Sequence, residues 1–570
     1  MGMGKRAVPT HSGAEITTPA PLIKEVNGGP FQAPPPTSAS LLDHPDVEAP
    51  VDAAPAPQVA APKPAAAAPL PHEKAQGLSG VPMFTEVTTY LSYLIILTLA
   101  HIEDFFGKLF MPEKYKQLRV QNGYAPMVKD FESMWIRHVY LRLRDCFNRP
   151  IAGVAGGRVN LIDRVTKDYN RSFQFTGRLH NVLNLASYNY LGFAQSEGPC
   201  ADKVEAAIRE GGVFQGSPVA EAGRTTLLAD TEAMVARFVG AEAAILVGMG
   251  YATNALNMPA LVSKGCLIIS DELNHSSLVS GARLSGAAIR VFRHNDTRDL
   301  EKQLRRSIAQ GQPRTHRPWK KILVVVEGLY SMEGEFCNLP KIVEMRRKYK
   351  FYLYVDEAHS IGAMGKRGRG VCDHFGVDPR EVDVLMGTFT KSFGAAGGYI
   401  AGNRALIDHL RVRSYATSYA ETMSVPVLAQ VSSSMRMIMG EDRDNAVLGQ
   451  QKLDQLAINS RYFAEKLRDL GFMILGDAGS PIVPLLLFNP AKMSSFSREC
   501  LRRDIAVVIV SYPATPVNAS RVRFCISASH TREDLDYALE QVSEIGDLLL
   551  LKMIKPKTAK RIAGPTKKVD

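Results

Sequence analysis

Five apolar runs of strand length in this chain each lead directly into polar residues capable of chemistry. FYLYV precedes Asp356, Glu357, Ala358 and His359, and VDVLMGTF precedes Thr390, Lys391 and Ser392. LVVVEG precedes Leu329, Tyr330 and Ser331, CLIIS precedes Asp271 to His275, and AILVG precedes Met249, Gly250 and Tyr251. In an open α/β sheet, ligands bind outside the carboxyl ends of the strands, so these residues can share one crevice. A lysine at such a place can form an imine with an aldehyde once its setting frees the amine of its proton. An aspartate can keep a pyridinium nitrogen protonated, which makes the ring an electron sink. An imidazole can stack on the ring, and Gly250 and Tyr251 at a helix start can offer backbone N–H groups to a phosphate. Singly, each residue has an ordinary reading: a surface lysine, a helix N-cap, a satisfied core histidine, a turn. Jointly they spell pyridoxal phosphate chemistry. Lys391 stands 35 residues after Asp356, room for one strand–helix–strand unit that makes the two neighbouring strand ends.

The elements that must hold these residues are legible in the hydrophobic pattern. AAILVG (243–248), CLIIS (266–270), AAIRVF (287–292), KILVVVEG (321–328), FYLYVDE (351–357) and VDVLMGTF (382–389) read as buried parallel strands. Amphipathic stretches at 297–311 and 339–350 alternate with them, which predicts a doubly wound α/β domain. After about Gly440 a long helical stretch leads to PIVPLLLF, IAVVIV and RVRFCISAS, read as a smaller α+β domain. The expected organisation is 1–80, 81–111, 112–180, 181–440, 441–551 and 552–570. These are, in order, a disordered Pro/Ala-rich start, a membrane-associated helix, an N-terminal arm, the large domain, the small domain and a basic tail.

Residues 1–80 hold 15 of the 34 prolines and a single aromatic, Phe31, too little apolar surface to offset the entropy of ordering. Next comes VTTYLSYLIILTLA (87–100), continuing as HIEDFFGKLF. The uninterrupted run falls short of the ~20 residues that cross a bilayer. A span or half-embedded anchor, a helix docked on a partner and a packed core helix all remain open. Lys108, Lys114, Lys116 and Arg119 would keep the following domain on the cytosolic side. The net charge of +11 comes largely from the last 20 residues, which carry seven Lys or Arg against one Asp. A charged tail of this kind fits a solvated end or an anionic membrane surface, not nucleic acid, for which no motif is present. The seven cysteines form no C-x-x-C pair, so no metal site is expected, and scattered through apolar runs they fit reduced core thiols.

DEAHSIGAMGKRGRG (356–370), GTFTKSFGAAGG (387–398) and DELNHSSLVSGARLSG (271–286) resemble the α-oxoamine synthases, a branch of the fold-type I aminotransferase-like enzymes. SYNYLGFA (187–194), PWKKILVVVEGLYSMEG (318–334), YPATP (512–516) and the arm at 130–151 are similar to the catalytic subunits of eukaryotic serine palmitoyltransferases. The resemblance covers roughly 81–552. It implies a decarboxylative condensation of L-serine with palmitoyl-CoA to 3-ketosphinganine on pyridoxal 5′-phosphate. It implies Lys391 as the imine-forming lysine, Asp356 on the pyridinium nitrogen, His275 on the ring face and His359 on the 3-oxygen. Thr388 and the amides of Gly250 and Tyr251 would take the phosphate, Ser331 is counted with the cofactor-binding set, and Arg523 would take the substrate carboxylate. The implied setting is the endoplasmic reticulum membrane, with a non-catalytic subunit 1 as heterodimer partner. A small activating subunit and regulatory membrane proteins are further possible partners.

Other α-oxoamine synthases remain the alternative, and Lys391 speaks against a non-catalytic subunit. Two stretches depart from the family pattern. GSPVAEAGRTTLLADTEAMVARF (216–238) lacks the family's histidine. YAET (419–422) puts Glu421 where relatives carry a threonine that reaches the neighbouring subunit's phosphate. A carboxylate there disfavours a homodimer of working sites and implies a heterodimer with one active site. The open alternatives are that Glu421 faces solvent, or that Thr417 of the upstream YATS takes the role.

Overall fold

The computed structural model describes residues 81–126, 128–214 and 216–554; the Pro/Ala-rich start and the basic tail from 555 onward lie outside the described residues. Residues 151–184 form antiparallel β1 (Ile151–Ala152), β2 (Arg158–Val165) and β3 (Gln174–Asn184). The central sheet follows with β4 (Ala243–Val247), β5 (Leu267–Asp271), β6 (Ala288–Phe292), β7 (Ile322–Glu327), β8 (Tyr352–Asp356), β9 (Val384–Thr388) and β10 (Gly398–Gly402). Its spatial order is β4-β10-β9-β8-β7-β5-β6. The pairs among β5 to β9 are parallel, while β10 runs antiparallel to both β9 and β4.

All six expected strands are present. Near-continuous Val, Ile and Leu in β7, β8 and β9 reflect burial on both faces, as helices cover a parallel sheet from two sides. Two features differ from the sequence reading. β10 has no counterpart in it, because GYIAG is short and begins and ends with glycine. β6 is an edge strand rather than a buried one, with Ile289 and Val291 exposed.

The C-terminal part contributes β11 (Ile482–Leu486), β12 (Ile505–Ala506), β13 (Val508–Val510) and β14 (Arg521–Cys525). β11, β14 and β13 make an antiparallel sheet, and β12 instead joins β3 in parallel. Leu143, Cys146, Leu183 and Leu185 share one apolar core with Phe463, Phe496 and Phe524, so the arm and the C-terminal part are packed as a unit. All seven cysteines are free and buried, as core thiols.

The N-terminal helix Met83–Phe110 is long and apolar enough to cross a membrane by length and composition. Thr89, Tyr93, Ala100 and Asp104 form its buried stripe, while Phe84, Leu91, Leu94, Leu99, Phe105 and Leu109 are exposed. The stripe is fastened along most of the helix. Asn489 donates to the Ser92 hydroxyl at 2.7 Å, and the Tyr93 hydroxyl lies 3.4 Å from that of Ser520. Asp104 accepts from Arg137 at 2.5 Å and from the Tyr115 hydroxyl at 3.2 Å, with His138 Nε2 at 2.8 Å. Of the acidic residues in the helix, Asp104 therefore faces protein, while Glu103 is exposed. Asp104→Ala would leave Arg137 and His138 without their shared carboxylate, a loss of about 3 kcal/mol at a buried pair. The expected result is new proteolysis between the helix and residue 130 with an unchanged melting transition for the rest of the chain.

Candidate active site

Because the β5, β7, β8 and β9 strands run parallel, Asp271, Glu327, Asp356 and Thr388 end at one edge of the sheet. Glu327 and Asp356 are register partners. Asp356 is buried; its Oδ2 accepts from Asn254 Nδ2 at 2.8 Å and its Oδ1 from the Ala358 amide at 2.9 Å. Lys391 lies just past β9, its Nζ 3.4 Å from Thr388 Oγ1 and 5.8 Å from the centre of the Tyr188 ring. Burial drives the Lys391 amine below its ordinary pKa, partly opposed by the Asp356 and Glu327 carboxylates.

His359 is buried, with Nδ1 2.8 Å from the Tyr190 hydroxyl and its ring edge-on to Tyr188 at 4.9 Å. Burial pushes its pKa well below the usual value, so it is a neutral imidazole. His275 caps the helix Ser276–Leu284: its Nδ1 accepts from the Ser277 amide and lies 2.7 Å from the Ser277 hydroxyl. Its backbone amide donates to Glu327 Oε1 at 2.5 Å. Burial lowers the pKa of His275 and raises that of Glu327 well above the carboxylate range.

The helix Gly250–Leu261 begins against the end of β9. A side chain at Gly250 would come within 3.0 Å of Thr388 Cγ2, so only glycine lets the first amides approach that closely. Those amides and the Thr388 hydroxyl form a ready anion seat. From the small sheet, Arg523 on β14 is 6% exposed and lies 4.6 Å above the Tyr188 ring. Its Nη1 meets the Met332 sulfur at 3.5 Å, Tyr188 and Cys525 lie beside it, and its Nε has no partner. Among the described residues no carboxylate pairs with it, and a buried guanidinium without an anion is costly unless a ligand supplies one.

The structure thus brings together Lys391, Asp356, His275, His359, Thr388, Gly250, Tyr251 and Arg523. Ser331 is half-buried in the turn after β7, and it is its neighbour Met332 that touches Arg523. Sequence reasoning assigned no role to Tyr188, Tyr190, Asn254 or Glu327. SYNYLG holds both tyrosines, and its only signal in the sequence is its likeness to the family. Glu421 is exposed and its segment pairs with the 217–223 loop, through the Pro218–Glu421 bridge and the Thr422 amide donating to Ser217 O. Thr417 is buried, and its hydroxyl is spent on the carbonyls of Leu410, Arg411 and Ser414.

The loop that carries His275 is clamped from below. His294 Nδ1 lies 2.9 Å from Asp271, its Nε2 3.6 Å from Glu335, and its ring stands edge-on to Tyr330. Burial opposes its charge, but the two carboxylates raise its pKa to about 10. A folded pKa above the unfolded value adds stability that is complete below about pH 6.5 and is lost as pH rises toward 10. Thermal melts across that window should fall more steeply for the native chain than for His294→Gln.

The family model described as aminotransferase class I and II matches residues 180–542, which sets the class of the fold and its site. Serine palmitoyltransferase 2 of Dictyostelium discoideum is 52% identical over 489 residues, 86% of this chain and 99% of that protein. Serine palmitoyltransferase 3 of Homo sapiens is 49% identical over 484 residues, 84% of this chain and 87% of that protein. A solved Sphingomonas wittichii serine palmitoyltransferase superposes with a TM-score of 0.64 at 27% identity, covering 76% of this chain and all of that one. A serine palmitoyltransferase structure titled as containing PLP gives 0.64 at 26%, covering 74% and 97%. The chain belongs to the serine palmitoyltransferase 2 family.

Proposed function

We propose that this chain is the catalytic subunit of a serine palmitoyltransferase, joining L-serine to palmitoyl-CoA with loss of CO2 and CoA to give 3-ketosphinganine. The observation that carries the reading is the convergence of Lys391 and Asp356 with a buried Arg523 that lacks an anionic partner. The residues fit pyridoxal 5′-phosphate, which when bound supplies an electrophilic aldehyde and a ring that accepts an electron pair. Lys391 would be the attachment point, and its amine, its pKa lowered by burial, would take the Cα proton of serine. Asp356, fixed by Asn254 and the Ala358 amide, holds the proton on the ring nitrogen. His275 would lie against the ring, and His359, neutral and held by Tyr190, would donate to the 3-oxygen. The Gly250 and Tyr251 amides and the Thr388 hydroxyl would hold the phosphate. Arg523, steadied over Tyr188, grips the serine carboxylate through its planar fork.

The protein works at the endoplasmic reticulum membrane with its catalytic part on the cytosolic face. The fastened stripe of Met83–Phe110 supports a helix lying in the membrane surface, its exposed side in lipid, rather than one standing free across the bilayer. Its partner is a non-catalytic subunit 1. A small activating subunit and regulatory membrane proteins complete the assembly. The test is the visible absorbance of the purified full chain, alone and with its partner, on adding L-serine. A serine-dependent change supports the reading, and a chain that carries no pyridoxal phosphate in either state overturns it.

A further inference from the structure

Asn254 sits one turn into the helix Gly250–Leu261, on the same face as Gly250, and is 1% exposed. Its Nδ2 donates to Asp356 Oδ2 at 2.8 Å and to Ser277 Oγ at 2.9 Å. Its Oδ1 accepts from the Tyr354 hydroxyl at 2.7 Å, and Tyr354 is fully buried on the same strand as Asp356. Ser277 Oγ in turn lies 2.7 Å from His275 Nδ1. The chain Tyr354–Asn254–Ser277–His275, with Asp356 as a branch, therefore ties together two groups that act on one ring from different sides. The two helices involved are pressed tightly together: a side chain at Gly281 would come within 2.9 Å of the Asn254 carbonyl.

We propose that Asn254 is a positioning residue that fixes the Asp356 carboxylate and, through Ser277, the His275 imidazole in one mutual geometry, so that the cofactor is gripped at its nitrogen and its face together. This rests on the pyridoxal phosphate reading above. An asparagine suits the place because it offers two donors to the carboxylate and the serine and one acceptor to the tyrosine, and it adds no charge. Its carboxamide also leaves each Asp356 oxygen a lone pair for the ring nitrogen. Aspartate at 254 would set two carboxylates in contact and return none of the donors.

The experiment uses the full chain in the complex in which it purifies. It measures the affinity for added pyridoxal 5′-phosphate, the visible circular dichroism of the bound cofactor with its pH dependence, and the melt of the cofactor-free protein. Asn254→Ala should weaken cofactor affinity about tenfold and alter the visible signal, with the cofactor-free melt little changed. Asn254→Asp should weaken it about a hundredfold, further than alanine does. Ser277→Ala, which cuts only the arm to His275, should weaken it a few-fold and change the same signal. The double variant Asn254→Ala/Ser277→Ala should lose less than the product of the two, because both belong to one chain. Native affinity and an unchanged visible signal in Asn254→Ala, or Asn254→Asp binding as well as the native protein, would overturn the proposal. If Asn254→Ala does not fold, an unchanged signal in Ser277→Ala overturns it alone. A native chain that binds no cofactor overturns the underlying reading and this inference with it.

Discussion

Lys391→Ala is expected to cut turnover by about a thousandfold or more while the protein folds and melts as before. The lysine follows β9 without packing into the core, so the side chain lost is chemical rather than structural. Three observations set the size of the effect. The amine is 3.4 Å from Thr388 Oγ1 and 5.8 Å from the centre of the Tyr188 ring, so it is held within the site. Burial lowers its pKa, which favours the unprotonated amine that a nucleophile and base requires. No other lysine is among the residues that meet here. The rising limb of the native pH–rate profile should lie below the ordinary lysine range, and it should vanish in the variant. A borohydride-reducible lysine adduct that persists in Lys391→Ala would show that the attachment point lies elsewhere.

Arg523→Ala should raise the KM for L-serine by about thirtyfold or more and leave the affinity for pyridoxal phosphate nearly untouched. The guanidinium is buried, caps the Tyr188 ring and meets no carboxylate among the described residues. Its removal therefore deletes the positive charge that offsets the substrate carboxylate without exposing a partner inside the protein. Arg523→Lys keeps the charge and loses the planar fork, so it should recover only part of the affinity. The assay is a steady-state titration of serine at saturating acyl-CoA. An unchanged KM in both variants would move the carboxylate site away from β14.

Much of this site can be read from local pattern, and the reason is geometric. Parallel strands buried on both faces are near-continuous apolar runs, and the first polar residues after each run fall at one sheet edge, so Asp356, Lys391, His275 and Gly250 announce themselves. The contacts that complete the site are long-range and leave no local trace. Tyr190 reaches His359 across 169 positions and Asn254 reaches Asp356 across 102. Asn254 looks like any polar residue inside a helix, and Glu327 like the end of an apolar strand. β10 was hidden because glycine and alanine carry no strand pattern, although its neighbours place it beyond doubt by register. Ser331 follows β7 as its place after a strand requires, and its neighbour Met332 is the residue that touches Arg523.

The fastening of the N-terminal helix also has a consequence for how the protein is made. Ser92 docks on Asn489 and Thr85 on Met553, partners 397 and 468 positions downstream. At about 5–20 residues per second, the ribosome delivers Asn489 roughly 20–80 s after Ser92. For that whole interval the part of the stripe around Thr85 and Ser92 lacks its downstream partners, although Tyr115, Arg137 and His138 already serve Asp104, and the exposed face of the helix is apolar. Arg523, which completes the substrate end, emerges later still. The N-terminal fastening and the substrate end of the site are therefore both completed only after the C-terminal part has been synthesised.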